Sequence, residues 1–460
     1  MNTSTTWTQR AERLSRRVGA ATVVWFGTRG EDGLPLLPLT GDGGTFEAHS
    51  ITAPVAGRRV LGASLEGLAN RRVDLDTYDL DTDDRDVVAE LRRALLVTAR
   101  RPVILVPYRS SEFIAAIQFA NFATVSLLAM FHERQAAFDH KPWVESTLRA
   151  AGVDVIPWRY VAFEDRAAVR REVERGPVML RASRTSGGVG LGLVVDPDDL
   201  DAVWPQRRDS YAAVAPYFAD AVPVNTAGVV FPDGSVTSAP ISVQLIGVPE
   251  CTTRPFGYCG NDFAAGAALS ATALDGIDTV VRRVGEWLAQ ERYIGTFGVD
   301  LLVDGNRVLF TELNPRFQGS SALAADIARK CDVPDVYLDH CAAHLGLPAG
   351  SYVPLREWAA TQDHVSQLIC HNLTDGPVAR RGLDMALPAD GRVELVPPPN
   401  VEVDAGAALA RVVLSRQVTT TGLALHDEAA RVAVAITASF ARTASGLAAP
   451  VMSQKEMLHV

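Results

Sequence analysis

The chain has 460 residues, a formal net charge of −10 and a pI near 5.5. This length predicts about three domains, and the acidic balance argues against a dedicated nucleic-acid-binding protein. The most apolar window, Phe113–Met130, is interrupted by Gln118 and Asn121 and predicts a buried helix rather than a membrane span. With no signal-peptide pattern and no C-x-x-C among the five cysteines, we expect reduced thiols in a cytoplasm.

The first third of the chain alternates apolar strands with amphipathic helices. Ala21–Gly27 and Val103–Pro107 read as buried strands, and Asp86–Arg100 and Glu112–Ala120 have helical apolar spacing. This alternation predicts a βα domain with a parallel sheet over residues 1–137. Its acidic stretch Asp74–Asp86 lacks the fixed Gly and Glu of a calcium loop, so we favour a solvated connection over a metal loop.

The pattern changes near Phe138. A helix that begins near Lys141 is predicted to end at Ala151, with Gly152 as its cap, and a charged helix covers Glu164–Glu174. Strands are predicted at Pro177–Ala182, Leu191–Val195, Tyr211–Phe218, Val224–Phe231, Val236–Ile246 and Gly298–Val303.

A Pro- and Gly-containing segment, Gly346–Pro354, predicts a linker. Beyond it we expect a small mixed domain over 355–450, with strands at Val365–Cys370 and Arg411–Ser415 and a helix from Asp427 to about Ala441. The last dozen residues are expected to be frayed. The whole chain is therefore predicted to combine α/β and α+β architecture, with a central domain at 138–347.

The strongest chemical signal is GVDLLVDGNRVLFTELNPRFQG, residues 298–319. It predicts a β-hairpin with Asp300 on one arm and Glu312 on the other. Side chains alternate along a strand, so Glu312 and Asn314 share a face on which Asp300 can join them. Two carboxylates and an amide oxygen suit Mg²⁺, and Arg316 adds a positive charge to the same face. The alternative is a surface hairpin with scattered charges.

A second signal is VMLRASRTSGGVGLGLVV, residues 178–195, in which Arg181 precedes a Ser- and Gly-rich loop between two strands. Glycines let backbone N–H groups approach phosphates closely. The loop joins strand to strand and no G-x-x-x-x-G-K-[ST] motif occurs, so it is not a P-loop. An ordinary flexible hairpin is the other interpretation.

Lysine is rare in this chain: it occupies only positions 141, 330 and 455 among 44 basic residues. A compact charge at Lys141, near a helix start and upstream of the glycine loop, suits phosphate contact. By itself it could equally be a surface lysine.

Together these motifs resemble the ATP-grasp superfamily across about residues 138–345. The resemblance rests on their order, a lysine helix, a basic strand with its glycine loop, a hinge and then D…E-x-N-x-R, with E-L-N-P-R-F-Q-G as its most specific part. It implies an ATP-dependent carboxylate–amine ligase that works through an acyl phosphate and uses ATP with two Mg²⁺ ions, or Mn²⁺ in their place.

The resemblance also implies roles for individual residues. Three groups would contact the nucleotide: the phosphate cations Lys141 and Arg181; the closing loop, with Ser183, Ser186, Gly187, Gly188 and Gly190; and the hinge Ala215, Pro216, Tyr217 and Phe218, with Asp220 toward the ribose. Asp300, Glu312 and Asn314 would hold metal, and Arg316 would stabilise the acyl phosphate. Arg181 stands where lysine is usual, and the hinge lacks its usual glutamate.

The flanking regions resemble those of pheganomycin-type peptide ligases, with a domain before the grasp and a small one after it. That resemblance implies an acid substrate that is a nonproteinogenic, amidino-bearing amino acid, an amino acid or peptide amine, and a biosynthetic role in antibiotic production. No nucleic acid or membrane partner is expected, and a homodimer is one option since related ligases are often dimers.

Residues 244–262 read as a long loop beside this site, in which Arg254 is either a substrate or intermediate contact or part of a structural loop. The sequence leaves two alternative functions to consider. Gly27-x-x-Gly30-x-x-Gly33 after a strand suggests an NAD(P) oxidoreductase. The glycine spacing differs from the dinucleotide-binding pattern G-x-G-x-x-G, and LPLLPL follows where a helix should begin. A noncatalytic nucleotide-binding protein is the third reading, and the complete metal set argues against it.

Overall fold

The structure is a computed structural model that describes residues 5–53, 60–205, 211–381, 390–399 and 401–443, with the backbone only at 183–186. Its α-helices are α1 Trp7–Val18, α2 Leu65–Ala69, α3 Arg85–Thr98, α4 Glu112–Ala120, α5 His132–Phe138, α6 Lys141–Ala150, α7 Arg166–Val173, α8 Leu200–Val203, α9 Phe263–Ala267, α10 Ala271–Gln290, α11 Ser321–Lys330, α12 Val336–His344, α13 Leu355–Thr361 and α14 Asp427–Ala438. Short 3₁₀ helices cover Glu31–Leu39 and Pro197–Asp199.

The strands are β1 Thr22–Arg29, β2 Phe46–Thr52, β3 Arg71–Arg72, β4 Val103–Pro107, β5 Val125–Leu127, β6 Arg159–Ala162, β7 Val178–Ser186, β8 Val189–Val194, β9 Tyr211–Pro216, β10 Val222–Val230, β11 Val236–Ser238, β12 Ser242–Ile246, β13 Tyr258–Asp262, β14 Gly295–Asp304, β15 Arg307–Asn314, β16 Ser366–His371, β17 Val378–Arg380, β18 Gly391–Glu394, β19 Glu402–Val403, β20 Ala408–Leu414 and β21 Phe440–Arg442.

The N-terminal sheet is parallel, as predicted, with the order β2-β1-β4-β5. Successive residues of β1 serve opposite faces, which is why the strand reads as one apolar run. Val23 and Trp25 pack in the core that contains α1, whereas Val24 and Phe26 pack in the core formed with α3 and α4.

The largest sheet is antiparallel, with the order β15-β14-β10-β12-β13-β16-β20-β18 and with β11 paired to β10. Helix α10 packs on it through Leu274, Ile277 and Val281, a spacing that gives one apolar helix face. Through β13 and β16 the sheet continues from the central part of the chain into the C-terminal part. The division at 1–137, 138–347 and 355–450 stays a prediction.

Two smaller sheets complete the fold. The first has the order β6-β9-β7-β8 and packs with α7 through Val178 and Leu180, forming a small lobe. The second, β21-β17-β19-β3, joins the N-terminal β3 to C-terminal strands. No helix in the described ranges is long and apolar enough to cross a bilayer.

The structure corrects some predicted elements. The run Val236–Ile246 forms two strands rather than one, and the break falls at Pro240, which has no N–H for a sheet ladder. The 3₁₀ helix Glu31–Leu39 stands where a dinucleotide-binding α-helix would begin. The ends of 244–262 are strands, so only the middle is a loop. The last dozen residues, for which fraying is predicted, lie outside the described residues.

Candidate active site

The β14–β15 hairpin brings the three predicted metal ligands together. Asp300 pairs with Glu312 and Gly298 with Asn314, with a bulge after Asp300. The Asn314 amide donates to Asp300 Oδ2 over 3.0 Å. Within the described residues no group of three or more His, Cys, Asp or Glu could hold a metal ion. The hairpin set has two carboxylates and one amide, donors that fit Mg²⁺.

Three further amides surround Asp300 Oδ1 and were missed by the sequence analysis. Asn225 Nδ2 donates over 2.5 Å, Gln244 Nε2 over 3.1 Å and Gln318 Nε2 over 3.3 Å. Asn225 lies opposite Asp300 on β10, a register that local sequence does not reveal. Gly298 makes room for Gln318, because a Cβ there would lie 1.9 Å from the Gln318 side-chain carbon. These donors fix the orientation of the Asp300 carboxylate.

The two carboxylates of the hairpin differ in acidity. Burial, with the nearby charge of Glu312, raises the pKa of Asp300 to about 6. Desolvation by the surrounding protein would raise the pKa of Glu312 as well, but the positive charges of Lys141, Arg316 and Arg181 together outweigh it and lower that pKa. Glu312 is therefore the more readily ionised carboxylate.

Lys141 is the first residue of α6, where His140 caps the helix by accepting the Trp143 N–H at 3.3 Å. Its ammonium donates to Glu312 Oε1. Its side chain is 13% exposed and that of Glu312 is 38% exposed. The structure thus joins the lysine helix to the hairpin.

Arg181 on β7 is held by a buried clamp that the sequence analysis did not predict. It donates to Glu145 Oε1 at 2.7 Å and to the Tyr160 hydroxyl at 3.0 Å, and Tyr160 in turn donates to Glu145. The guanidinium carbon lies 4.0 Å from the ring centre of Trp158. Glu145 comes four residues after Lys141 on the same helix face, a spacing that could have indicated it.

Arg316 faces the N-terminal sheet. It donates to the Tyr108 hydroxyl at 2.8 Å and to the Phe317 carbonyl at 3.0 Å. Burial would lower its pKa, but Tyr108 and the carboxylates of Asp139, Glu312 and Asp300 raise it. Arg316 therefore keeps its charge beside the hairpin carboxylates. Tyr108 follows β4, so the carboxyl edge of the parallel sheet reaches this site.

The glycine loop turns between β7 and β8. Gly187, Gly188 and Gly190 have φ of +51°, +84° and +82°, which glycine adopts readily. A Cβ at Gly188 would lie 2.1 Å from the Phe256 carbonyl oxygen, so only glycine fits this approach. The side chains of Ser183 and Ser186 lie outside the described part of the chain.

The predicted hinge comprises the last two residues of β9, Ala215 and Pro216, and the two that follow, Tyr217 and Phe218. Tyr217 N–H donates to the Pro177 carbonyl at 3.0 Å, while Pro216 and Asp220 are exposed. Its apolar members lie in a cluster between the small lobe and the hairpin, made of Ile156, Ala215 and Leu309 with Trp158, Phe218 and Leu302 beside them. Whether this cluster receives adenine stays a prediction.

Arg254 lies in the loop between β12 and β13, where it pairs with acidic residues of the N-terminal region. Its NH1 is 2.8 Å from Asp76 Oδ2, and its NH2 contacts Asp74. Asp76 also abuts Gly187, since a Cβ there would meet its carboxylate at 2.1 Å. The contacts of Arg254 thus lie with the acidic stretch, and its substrate role is untested.

The sequence has distant relatives of known activity. No model of a protein family matches the chain. It is 26% identical over 229 residues to a formate-dependent phosphoribosylglycinamide formyltransferase of Yersinia enterocolitica, covering 49% of this chain and 53% of that protein. It is 31% identical over 207 residues to the enzyme of that name from Pseudomonas aeruginosa, covering 43% and 47%. The chain thus spans about half the length of the curated relatives it matches.

Solved structures resemble a larger share of the chain. A biotin carboxylase domain dimer from Hydrogenobacter thermophilus, in complex with MgADP and bicarbonate, has a TM-score of 0.61 at 12% identity and covers 86% of each chain. Biotin carboxylase of Campylobacter jejuni has a TM-score of 0.58 at 13% identity, covering 86% and 87%. N5-carboxyaminoimidazole synthetase of Staphylococcus aureus, complexed with ADP, has a TM-score of 0.55 at 13% identity, covering 86% and 93%. The predicted fold class is confirmed: the chain has a mixed α/β and α+β ATP-grasp fold.

Proposed function

We propose that this protein is an ADP-forming carboxylate–amine ligase. The observation that supports it best is the convergence of Lys141, Asp300, Glu312, Asn314 and Arg316 at the β14–β15 hairpin. A hydrogen bond joins Asn314 to Asp300 within the hairpin. The cations come from α6, as Lys141, and from just beyond the hairpin, as Arg316. A cluster of this composition can hold a triphosphate, metal ions and a substrate carboxylate together.

In the proposed reaction, an oxygen of the substrate carboxylate attacks the γ-phosphorus of ATP and ADP leaves. The amine then attacks the carbonyl carbon of the acyl phosphate, loses a proton and expels phosphate, forming the amide. Lys141, Arg181 and the glycine loop would position the phosphates, and Arg316 would offset charge on the acyl phosphate. Mg²⁺ held by Asp300, Glu312 and Asn314 would supply further charge compensation.

The narrower proposal concerns the substrates. The resemblance to pheganomycin-type peptide ligases supports an amino acid or peptide as the amine and an amidino-bearing amino acid as the acid. Two Mg²⁺ ions, or Mn²⁺ in their place, would accompany ATP; the neighbour complexed with MgADP supports a magnesium–nucleotide complex. A homodimer and a cytoplasmic location belong to the same proposal.

The curated relatives favour a second candidate. They are formate-dependent and named for phosphoribosylglycinamide, so formate and a glycinamide amine are an alternative acid–amine pair for the same chemistry. The alignments cover 49% and 43% of this chain, so at least half of it has no counterpart in them. Both candidates predict ADP release and differ in the product.

The test is an ADP-release screen of carboxylic acids against amino acids, peptides and phosphoribosylglycinamide, with mass spectrometry of the products. The active pair should give an amide and stoichiometric ADP. Glu312→Gln should abolish that release, whereas Glu428→Gln, a matched change at an exposed ion pair on α14, should leave it unchanged. Nucleotide binding without ADP release for any pair would instead favour the noncatalytic reading, and full turnover by Glu312→Gln would remove the metal assignment.

A further inference from the structure

Two of the predicted site residues form an ion pair with each other. Lys141, expected to contact phosphate, donates its ammonium to Glu312, expected to hold metal. A carboxylate oxygen engaged by an ammonium at contact distance is not free to ligate a cation, because both compete for the same lone pairs and repel each other. The ammonium therefore occupies one of the two Glu312 carboxylate oxygens and repels a cation that approaches the other, so the two predicted roles compete in this arrangement.

The other predicted phosphate cation is held differently. Arg181 and its partner Glu145 are 5% and 3% exposed, and Tyr160 and Trp158 complete the clamp. Freeing Arg181 would leave a buried carboxylate without its counter-charge, which is costly. The planar guanidinium is fixed by several directional contacts, so it has no comparable freedom to change partners.

The Lys141–Glu312 pair is more exposed than the Arg181 clamp and is held by fewer contacts. The Glu312 side chain is 38% exposed, and Lys141 carries a point charge on a flexible stem. Nucleotide phosphates arriving beside α6 would offer the ammonium a stronger anionic partner, and the stem allows the ammonium to move to it. That movement would release Glu312 as a ligand.

We propose that Lys141 occupies Glu312 in the nucleotide-free protein, so that divalent metal binds the hairpin only after phosphates draw the lysine away. This rests on the proposed function, since it takes Glu312 as a metal ligand. It adds an order of binding: free metal is excluded from the hairpin, and metal enters with or after the nucleotide.

The test measures Mn²⁺ binding by electron paramagnetic resonance without nucleotide, in wild type, Lys141→Met, Glu312→Gln and the double variant. Lys141→Met should gain a Mn²⁺ site at least about tenfold tighter than any wild-type site, as expected when a close competing charge is removed. Glu312→Gln should hardly change Mn²⁺ affinity in wild type but should abolish the gained site in the Lys141→Met background. Thermal melts would verify that each variant folds.

This double-mutant cycle distinguishes direct contact of Lys141 with Glu312 from a general electrostatic repulsion of the cation by the lysine. If removing the lysine only reduced repulsion of the cation, Glu312→Gln would weaken Mn²⁺ binding by the same factor in both backgrounds, and the inference would be wrong. Lys330→Met, which removes the exposed partner of Asp363, is the matched lysine control and should leave Mn²⁺ affinity unchanged.

Failure of the inference is distinguishable from failure of the proposed function. Equal Mn²⁺ affinity in wild type and Lys141→Met, with Glu312-dependent ADP release intact, would overturn the inference alone. Absence of any Glu312-dependent Mn²⁺ site, both with and without a nonhydrolysable ATP analogue, would overturn the inference together with the metal assignment on which it rests.

Discussion

Glu145→Gln tests whether the clamp on Arg181 stabilises the small lobe. The variant keeps an oxygen that can accept from Arg181 but removes the counter-charge from a pair whose side chains are 3% and 5% exposed. Breaking a buried ion pair costs about 3–5 kcal/mol, and the retained hydrogen bond favours the lower end, about 3 kcal/mol. The variant should therefore destabilise the β6-β9-β7-β8 sheet against local opening.

Amide hydrogen exchange in β7 and β9 measures this effect directly. A loss of about 3 kcal/mol corresponds to exchange faster by about two orders of magnitude, since each 1.4 kcal/mol is tenfold. Glu428→Gln, at an exposed pair with Arg416, should change exchange in α14 by less than about threefold. Replacing both Glu145 and Arg181 by apolar residues should recover much of the loss. An exchange rate in Glu145→Gln within about threefold of wild type would refute the reasoning.

Two further predictions concern buried carboxylates of α12. Asp339→Asn should lower the free energy of unfolding by about 3–5 kcal/mol, because Arg10, 3.1 Å away and fully buried, loses its counter-charge; a denaturation midpoint equal to that of wild type would contradict this. Burial raises the pKa of Asp335 to about 7, above its unfolded value, so the stabilisation from the neutral carboxyl is complete below about pH 4 and is lost as the pH rises through 7. The stability advantage of wild type over Asp335→Ser, which keeps a helix-capping acceptor, should therefore shrink by about 3 kcal/mol between pH 5 and pH 8. Thermal melts showing a pH-independent difference would argue against it.

The parts of the site that lie close in sequence were predictable. Glu312 and Asn314 alternate along β15, and Asp300 is brought opposite by a short turn, so a period of two was enough to place these three on one face; Arg316 follows two residues beyond the end of the strand. The parallel N-terminal sheet was predictable for a similar reason, because a strand buried on both faces is a continuous apolar run.

The contacts that depend on distant pairing were not predictable. Asn225 meets Asp300 through a strand register set by the whole sheet, and Arg254 meets Asp74 from 180 positions away. No local pattern encodes such pairs. Two features that were not predicted do have a local signal. Helix α10 has helical apolar spacing, and Glu145 lies four residues after Lys141 on the same helix face.

The large antiparallel sheet has a consequence for attempts to recombine this protein with others. Strand β13 carries Asn261 and is bonded on one side to β12 and on the other to β16, beyond the Gly346–Pro354 segment. A chimera joined at that segment would have to supply a new strand in the same register, or leave β13 with unpaired backbone groups open to aggregation. Strands β16, β20 and β18 therefore extend the sheet that carries the hairpin and are not an independently exchangeable module.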